Sequence, residues 1–280
     1  MSVPIFAALL VAAFLHALWN ALVRRDPDRS GAATSMAAGG ALIGFVLLPF
    51  LPPMSTAAIP YAAITTFVHI GYFALVARAY TYGELSVAYP IMRGLAPLIV
   101  TIAAALFVET PPPLAILGIV VVAIGIASLG FERLRQGSVA GLAPAVANAF
   151  VIALYTLVDG LGARASGAPE TYVAWILLTS GIATVLVQFW FRGPALAVVL
   201  RARVLTGLGG GLMSYGAYAI ALWAMTFTAI GAVAAVRESS VLFAAAIGAI
   251  GLHEKFGWTR WASAVLVVAG LVLVKFGGAG

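Results

Sequence analysis

Apolar runs of about 20 residues, long enough to cross the hydrocarbon of a bilayer, recur along this whole sequence. The connections between them are short, and none is long or polar enough for a soluble domain. The chain has 280 residues, of which 63% are hydrophobic and 9% charged, with a mean hydropathy of +1.10. It therefore reads as an all-α membrane protein. Breaks at Gly, Pro and charge divide it into ten predicted spans. The first five are Val3–Val23, Gly31–Leu51, Pro60–Tyr80, Ser86–Val108 and Leu114–Phe131. The second five are Val139–Asp159, Thr171–Phe191, Val204–Met225, Gly231–Leu252 and Thr259–Phe276.

The first run is followed, not preceded, by its charges, Arg24 and Arg25, so it is expected to be a span and not a cleaved signal. The longest connection, Arg192–Arg203, mixes arginines with apolar residues and fits the membrane interface. The sequence has no cysteine, which excludes disulfides and thiolate metal sites. Its three histidines include no pair at ligand spacing, so neither a metal nor a cofactor is expected. A net charge of +6 would suggest nucleic acid for a soluble protein. Here it is assigned to loops facing an anionic inner leaflet, with the lipid bilayer and a small-molecule substrate as partners. Ten Lys/Arg lie in connections after odd-numbered spans and two on the other side. The positive-inside rule then predicts a multi-pass inner-membrane protein with both termini outside.

The two halves repeat. Leu106-Phe107-Val108-Glu109 precedes an apolar run from Val120, and Gly251-Leu252-His253-Glu254 precedes one from Val265, an offset of 145. Ala74-Leu75-Val76-Ala77 matches Ala221-Leu222-Trp223-Ala224. Ala17-Leu18-Trp19-Asn20 lines up with Ala153-Leu154-Tyr155-Thr156. Their shared order predicts two five-helix repeats, residues 1–135 and 136–280. Five spans is an odd number, so the second repeat must enter from the opposite side, which gives an inverted repeat around a central cavity.

These features resemble the drug/metabolite transporter superfamily in its ten-helix EamA-type form. The likeness rests on the two halves, the Trp19-Asn20 position and the blocks Glu109…Gly125 and Glu254…Gly270. Two tracts, Tyr89 to Pro97 and Arg237-Glu238-Ser239-Ser240, look like those of YddG-type amino-acid exporters. The resemblance implies export of amino acids, aromatic ones included, and of related small amphiphiles by a monomer. Four-helix multidrug relatives carry a proton-binding glutamate in their first helix. Here that helix offers only His16 and Asn20, which speaks against simple proton coupling.

Charges inside apolar runs are costly in lipid and point to function. Arg93, Arg237 and Glu238 are such charges, and Arg93 stands 145 residues before Glu238, its repeat equivalent. Two readings are open. The charges can line a cavity and hold the ends of a zwitterion, or they can neutralise each other and pin two helices. Pro90 and Pro97 each remove a backbone donor from the fourth span, which fits either a bending gate or a static kink. Polar and aromatic residues recur at helical spacing: His16, Trp19 and Asn20; His69 and Tyr72; Tyr89 and Arg93; Asn148, Tyr155 and Asp159; Tyr215 and Tyr218. With Ser239 they are candidates for a polar, aromatic cavity wall; interhelical hydrogen bonding is the alternative. Gly40-x-x-x-Gly44 and Gly207-x-x-x-Gly211 fit close helix packing. Glu109 and Glu254 are expected to face water or to cap the following helix. No HExxH, GxSG or Walker motif appears, so catalysis and ATP hydrolysis are not expected. The expected function is secondary export. A proton-coupled multidrug or amphiphile exporter is the nearest alternative, and a receptor, channel or scaffold the alternative of another class.

Overall fold

A computed structural model describes residues 1–82, 85–134, 142–252 and 257–277. Every regular element among the described residues is helical. In chain order the helices are α1 (Val3–Arg25), α2 (Arg29–Leu47), α3 (Ile59–Tyr82), α4 (Leu85–Phe107), α5 (Pro113–Leu134) and α6 (Leu142–Ser166). They continue as α7 (Pro169–Arg192), α8 (Ala195–Ala202), α9 (Val204–Met225), α10 (Ile230–Arg237), α11 (Ser240–Leu252) and α12 (Trp258–Gly277). Among the described residues, seven helical stretches are long and apolar enough to cross a membrane, or eight if the bent pair α8–α9 is one span. The chain is thus an all-α, multi-pass membrane protein.

Three elements differ from the sequence expectation. The Arg192–Arg203 connection contains the short helix α8, set at 74° to α9. The predicted ninth span is broken into α10 and α11 at Glu238–Ser239. The predicted sixth span stops at Asp159, whereas α6 runs on to Ser166. Local signals account for the ends of α2 and α7. Asp28 caps α2 by accepting a hydrogen bond from Gly31 N at 2.9 Å. Gly193, at φ +57°, ends α7 in a conformation that L side chains rarely adopt.

The helices form two compact units, and each unit draws on both halves of the sequence. The first comprises Met1–Ala13, Gly71–Leu157 and Phe227–Gly280, and the second Phe14–Ile70 and Val158–Thr226. In the first, α4 packs on α5 and α10, and α5 on α12. In the second, α2 lies between α7 and α9.

Lipid supplies no hydrophobic drive between helices, so packing rests on close backbone approach at small residues. A Cβ on Gly39 would stand 2.1 Å from the Gly207 carbonyl oxygen, and one on Gly211 would stand 2.4 Å from Gly40 N. On the other side of α2, a Cβ on Gly44 would meet Ala174 O at 2.5 Å, and one on Gly181 would meet Ala37 O at 2.4 Å. In the first unit, Gly118 and Gly270 face each other in the same way, at 2.6 and 2.7 Å from the opposing carbonyl oxygens. Residue numbers rise along one helix as they fall along the other. Gly277 meets Ala115, Gly270 meets Gly118, and Ser263 meets Gly125, so α5 and α12 are antiparallel. The contacts Gly44–Ala174 and Gly181–Ala37 make α2 and α7 antiparallel too.

At one end of the second unit, two bidentate ion pairs fix the α1–α2 connection. Arg192 donates to both carboxylate oxygens of Asp28, at 2.6 and 2.8 Å. Arg203 does the same to Asp26, at 2.8 Å for each bond. Fork-on-carboxylate geometry makes these the strong kind of surface pair.

Two outcomes are expected. Gly39→Ala drives a methyl into backbone and should lower unfolding stability by about 1–3 kcal/mol. Gly71→Ala, with nothing within 4 Å of the added carbon, should leave it unchanged. Thermal melting in detergent checks both. Hydrogen bonds from Arg192, and then from Gly31 N, hold the Asp28 carboxyl down at about 2, below its ordinary 3.8. That contribution is present above the unfolded value and is lost as pH falls from about 4 towards 2. The pair is partly exposed, so Asp28→Asn should cost about 1 kcal/mol or less at neutral pH. The variant should also flatten the acid limb of a melting-temperature profile.

Candidate functional site

Three charged side chains are buried among the described residues: Arg93, Asp159 and Glu238. Two of them meet. Arg93 on α4 presents Nε to Glu238 Oε2 at 2.9 Å. Charge is satisfied at this distance, but the N–H is not aligned on the oxygen as a hydrogen bond. Arg93 Nη2 also reaches Ser240 Oγ at 3.5 Å.

The backbone explains how Glu238 comes to point inward. It follows the last residue of α10 at φ −68° and ψ −12°. Around it the bonding tightens to i→i+3: Glu238 N to Ala235 O, Ser239 N to Val236 O, Val241 N to Glu238 O and Leu242 N to Ser239 O, at 2.9–3.1 Å. A tight turn of this kind inside a span is a frequent mark of a hinge. The helix that carries Arg93 behaves differently, since α4 runs from Leu85 to Phe107 through Pro90 and Pro97. Pro97 has no N–H to give the Arg93 carbonyl four residues back, which loosens α4 at its charge. Thr101 donates its hydroxyl to the Pro97 carbonyl at 2.7 Å.

Arg93, Pro97, Tyr155, Arg237 and Glu238 line one cleft, completed by Ala96, Val100, Ile152, Thr156 and Ala234. Its empty volume is about 260 Å³, open mouth included. Tyr72 stacks edge-on against Tyr155, with ring centroids 6.0 Å apart at 88°, and so stiffens this wall. Nearby, Asn148 is fully buried and donates to Met92 Sδ at 2.9 Å, while its Oδ1 has no partner among the described residues. Ser239 is also buried, with no partner for its hydroxyl among them. Buried polar atoms without partners are uncommon and call for a role.

The other predicted site residues that the structure describes belong to the second unit. His16 and Trp19 stack edge-on at 5.1 Å, and Asn20 Nδ2 donates to the His16 carbonyl at 2.7 Å. His69 Nδ1 bonds the Thr65 carbonyl at 2.9 Å, and the Tyr215 hydroxyl donates to the Glu170 carbonyl at 3.3 Å. Tyr218 donates to Asp159. The side chain of Tyr89 and all of Glu254 lie outside the described residues. Glu109 Oε1 accepts from Ile230 N at 2.9 Å, at the start of α10, where a negative charge complements the helix dipole.

Sequence reasoning underrated the third buried charge. Asp159 receives hydroxyl hydrogen bonds from Thr65, Tyr172 and Tyr218. Thr65 and Tyr172 did not stand out in the sequence. Asp159 itself did carry a signal, because it is a carboxylate inside an apolar run, the same criterion that picked out Arg93.

A multi-pass helical membrane protein with charges buried around a cleft has the make-up of a transport protein, and one comparison points the same way. Residues 139–276 match the EamA-like transporter family, whose members are transport proteins and not enzymes. One solved crystal structure of a protein is similar over 99% of this chain and 97% of its own, with a TM-score of 0.69 and 18% identity. At that identity the likeness is one of fold. None of the curated proteins matches the chain.

Breaking a buried ion pair leaves the surviving charge uncompensated. Arg93→Ala and Glu238→Ala should therefore each lower stability by about 3–5 kcal/mol, with the double variant closer to wild type. Melting curves of all three in detergent test this coupling. Equal, additive losses would show that the two side chains act separately.

Proposed function

We propose that this chain is a secondary transporter that exports small zwitterions, amino acids first among them, across the inner membrane by alternating access. Ten spans, arranged as two inverted five-helix repeats over residues 1–135 and 136–280, form the framework of this reading. Its support is the antiparallel pairing of repeat equivalents. The second helix of each half packs on its counterpart, α2 on α7, and the fifth does so as α5 on α12. In the fourth pair, Arg93 meets Glu238 and Thr101 lies against Gly231, so α4 runs antiparallel to α10. In this reading Arg93 and Glu238 are themselves equivalents, and their contact supports it.

The observation that carries the substrate class is the charge of the cleft. Arg93, Arg237 and Glu238 bring charges of both signs to the lining. A substrate carboxylate suits the guanidinium groups, and its ammonium suits Glu238. A zwitterion offers the same two charges that Arg93 and Glu238 offer each other, so it can replace each partner in turn. Tyr155 and Thr156 supply an aromatic face and a hydroxyl beside them. The orphaned Asn148 Oδ1 and Ser239 hydroxyl fit a centre that is wetted or bonded during transport.

Flux of radiolabelled amino acids into proteoliposomes tests the reading and separates a transporter from a scaffold. Arg237→Gln and Tyr155→Ala suit the test because they alter the cleft without touching the ion pair. Arg237→Gln should cut zwitterion flux roughly tenfold, as expected for ~1.4 kcal/mol of lost interaction, and should affect amino-acid amides, which lack the carboxylate, much less. Wild-type flux from both well-folded variants would remove the cleft from the transport path.

A further inference from the structure

From the geometry around Asp159 we infer that this residue, with the hydroxyls of Thr65, Tyr172 and Tyr218 and the imidazole of His69, is a proton-binding site that loads and unloads one proton during transport. The transport clause rests on the function proposed above. The binding of a proton does not.

The contrast with the other described aspartates is chemical. Asp26 and Asp28 are gripped by guanidinium groups, which only donate and never lose their proton. Those carboxylates are locked as anions. Asp159 is fully buried, and among the described residues no Lys or Arg forms an ion pair with it. Its hydrogen-bond partners are hydroxyls. Thr65 and Tyr172 donate to Oδ1 and Tyr218 donates to Oδ2. A carboxylate has about four lone-pair positions, so one remains, on Oδ2. A proton arriving there finds a partner that can reverse its role, because a tyrosine hydroxyl accepts as well as donates. When Oδ2 is protonated, the Tyr218 hydroxyl turns and accepts. When the proton leaves, the hydroxyl turns back and donates. The centre gains one positive charge in the first step and loses it in the second, with no bond to carbon made or broken.

The titratable neighbours are few. From α3 the facing group is His69, close enough to act on Asp159 electrostatically, with Tyr61 further off beside Tyr172. From α7 it is Tyr172, and from α9 Tyr218. On α6 itself, Arg164 donates Nε to the Met225 carbonyl at 2.7 Å. His69 is oriented by its Nδ1 contact with the Thr65 carbonyl, an acceptor only, so Nδ1 carries the proton in that bond. Thr65 thus links the two groups, through its hydroxyl to Asp159 and through its carbonyl to His69. Helix α6 is continuous from Tyr155 and Thr156, which line the cleft, to Asp159 about one turn later.

The test uses the full-length protein in liposomes. Infrared difference spectra recorded as pH is lowered from 9 to 5 report carboxyl protonation without any substrate. Wild type should develop a carboxylic-acid carbonyl band that is missing from Asp159→Asn. Tyr218→Phe keeps the carboxyl but removes the reversible hydroxyl, and should displace the midpoint by about one pH unit. It decides the matter if Asp159→Asn does not fold. Identical spectra for wild type and Asp159→Asn, or an unmoved midpoint in Tyr218→Phe, overturn the site. A second arm follows internal pH with trapped pyranine while external phenylalanine is added. Proton movement in wild type that vanishes in Asp159→Asn is the expected result. Phenylalanine flux without proton movement removes the coupling, whereas absence of any flux counts against the proposed substrate and leaves the infrared result standing.

Discussion

A charge placed among membrane helices has no water to fall back on, and the arrangement of this chain follows from that. On insertion scales each such charge costs about 2.5–3.5 kcal/mol at the centre of a span. The three buried charges meet this cost in two ways. Arg93 and Glu238 neutralise each other across α4 and the α10–α11 break. Asp159 has no Arg or Lys counter-ion among the described residues and is held by hydroxyls from α3, α7 and α9. Each solution draws in several helices, so each charge fixes the local packing. Removing one member of either cluster leaves polar atoms that nothing nearby can satisfy.

Close helix approach is what makes these clusters reachable. Carbonyl oxygens would stand 2.1–2.7 Å from added methyls along the α2–α9, α2–α7 and α5–α12 seams, so only glycine fits there. The seams hold their helices rigidly. The irregular backbone falls elsewhere, at Glu238–Ser239, where bonds change to i→i+3 around a charge. Irregular backbone within a bilayer is tolerated where it is buried in protein or lines a cavity, and Glu238 lines one. Close glycine seams thus stand beside one irregular, charged turn.

Much of this was legible in the sequence because its cause is local. Apolar length marked the chain as a multi-pass membrane protein, and the Gly207-x-x-x-Gly211 spacing falls on the seam of α9 with α2. Charge inside an apolar run picked out Arg93 and Glu238, which the structure brings together. The failures share a different cause, which is that a distant partner decided the outcome. Asp159-Gly160 reads as a helix stop, yet α6 continues to Ser166. One of its glycines, Gly162, makes room for a neighbour: a Cβ there would stand 2.2 Å from the Tyr172 hydroxyl oxygen. That tyrosine donates to Asp159. The early stop therefore put Asp159 at a helix end and hid its burial. Glu109 reads as a residue that faces water or caps α5, and nothing local in the sequence announces its bond to the start of α10, more than a hundred residues on. The break in the ninth span has no proline to announce it, while α4 keeps its helix through two.

The kinds of group around each carboxylate give the deeper division. Guanidinium partners make an anion permanent, which suits Asp26 and Asp28 at the end of the second unit, where the connection between α1 and α2 must stay in place. Glu238 instead faces Arg93, with Arg237 in the same lining. Around Asp159 the hydrogen-bond partners are hydroxyls, each of which can donate or accept. The chain thus surrounds its acids with different partner sets, and the residue type opposite each acid sets how its charge is held. Burial strengthens the distinction, because in a low-dielectric interior a partner that cannot adapt leaves an uncompensated charge, whereas one that can adapt lets the charge come and go.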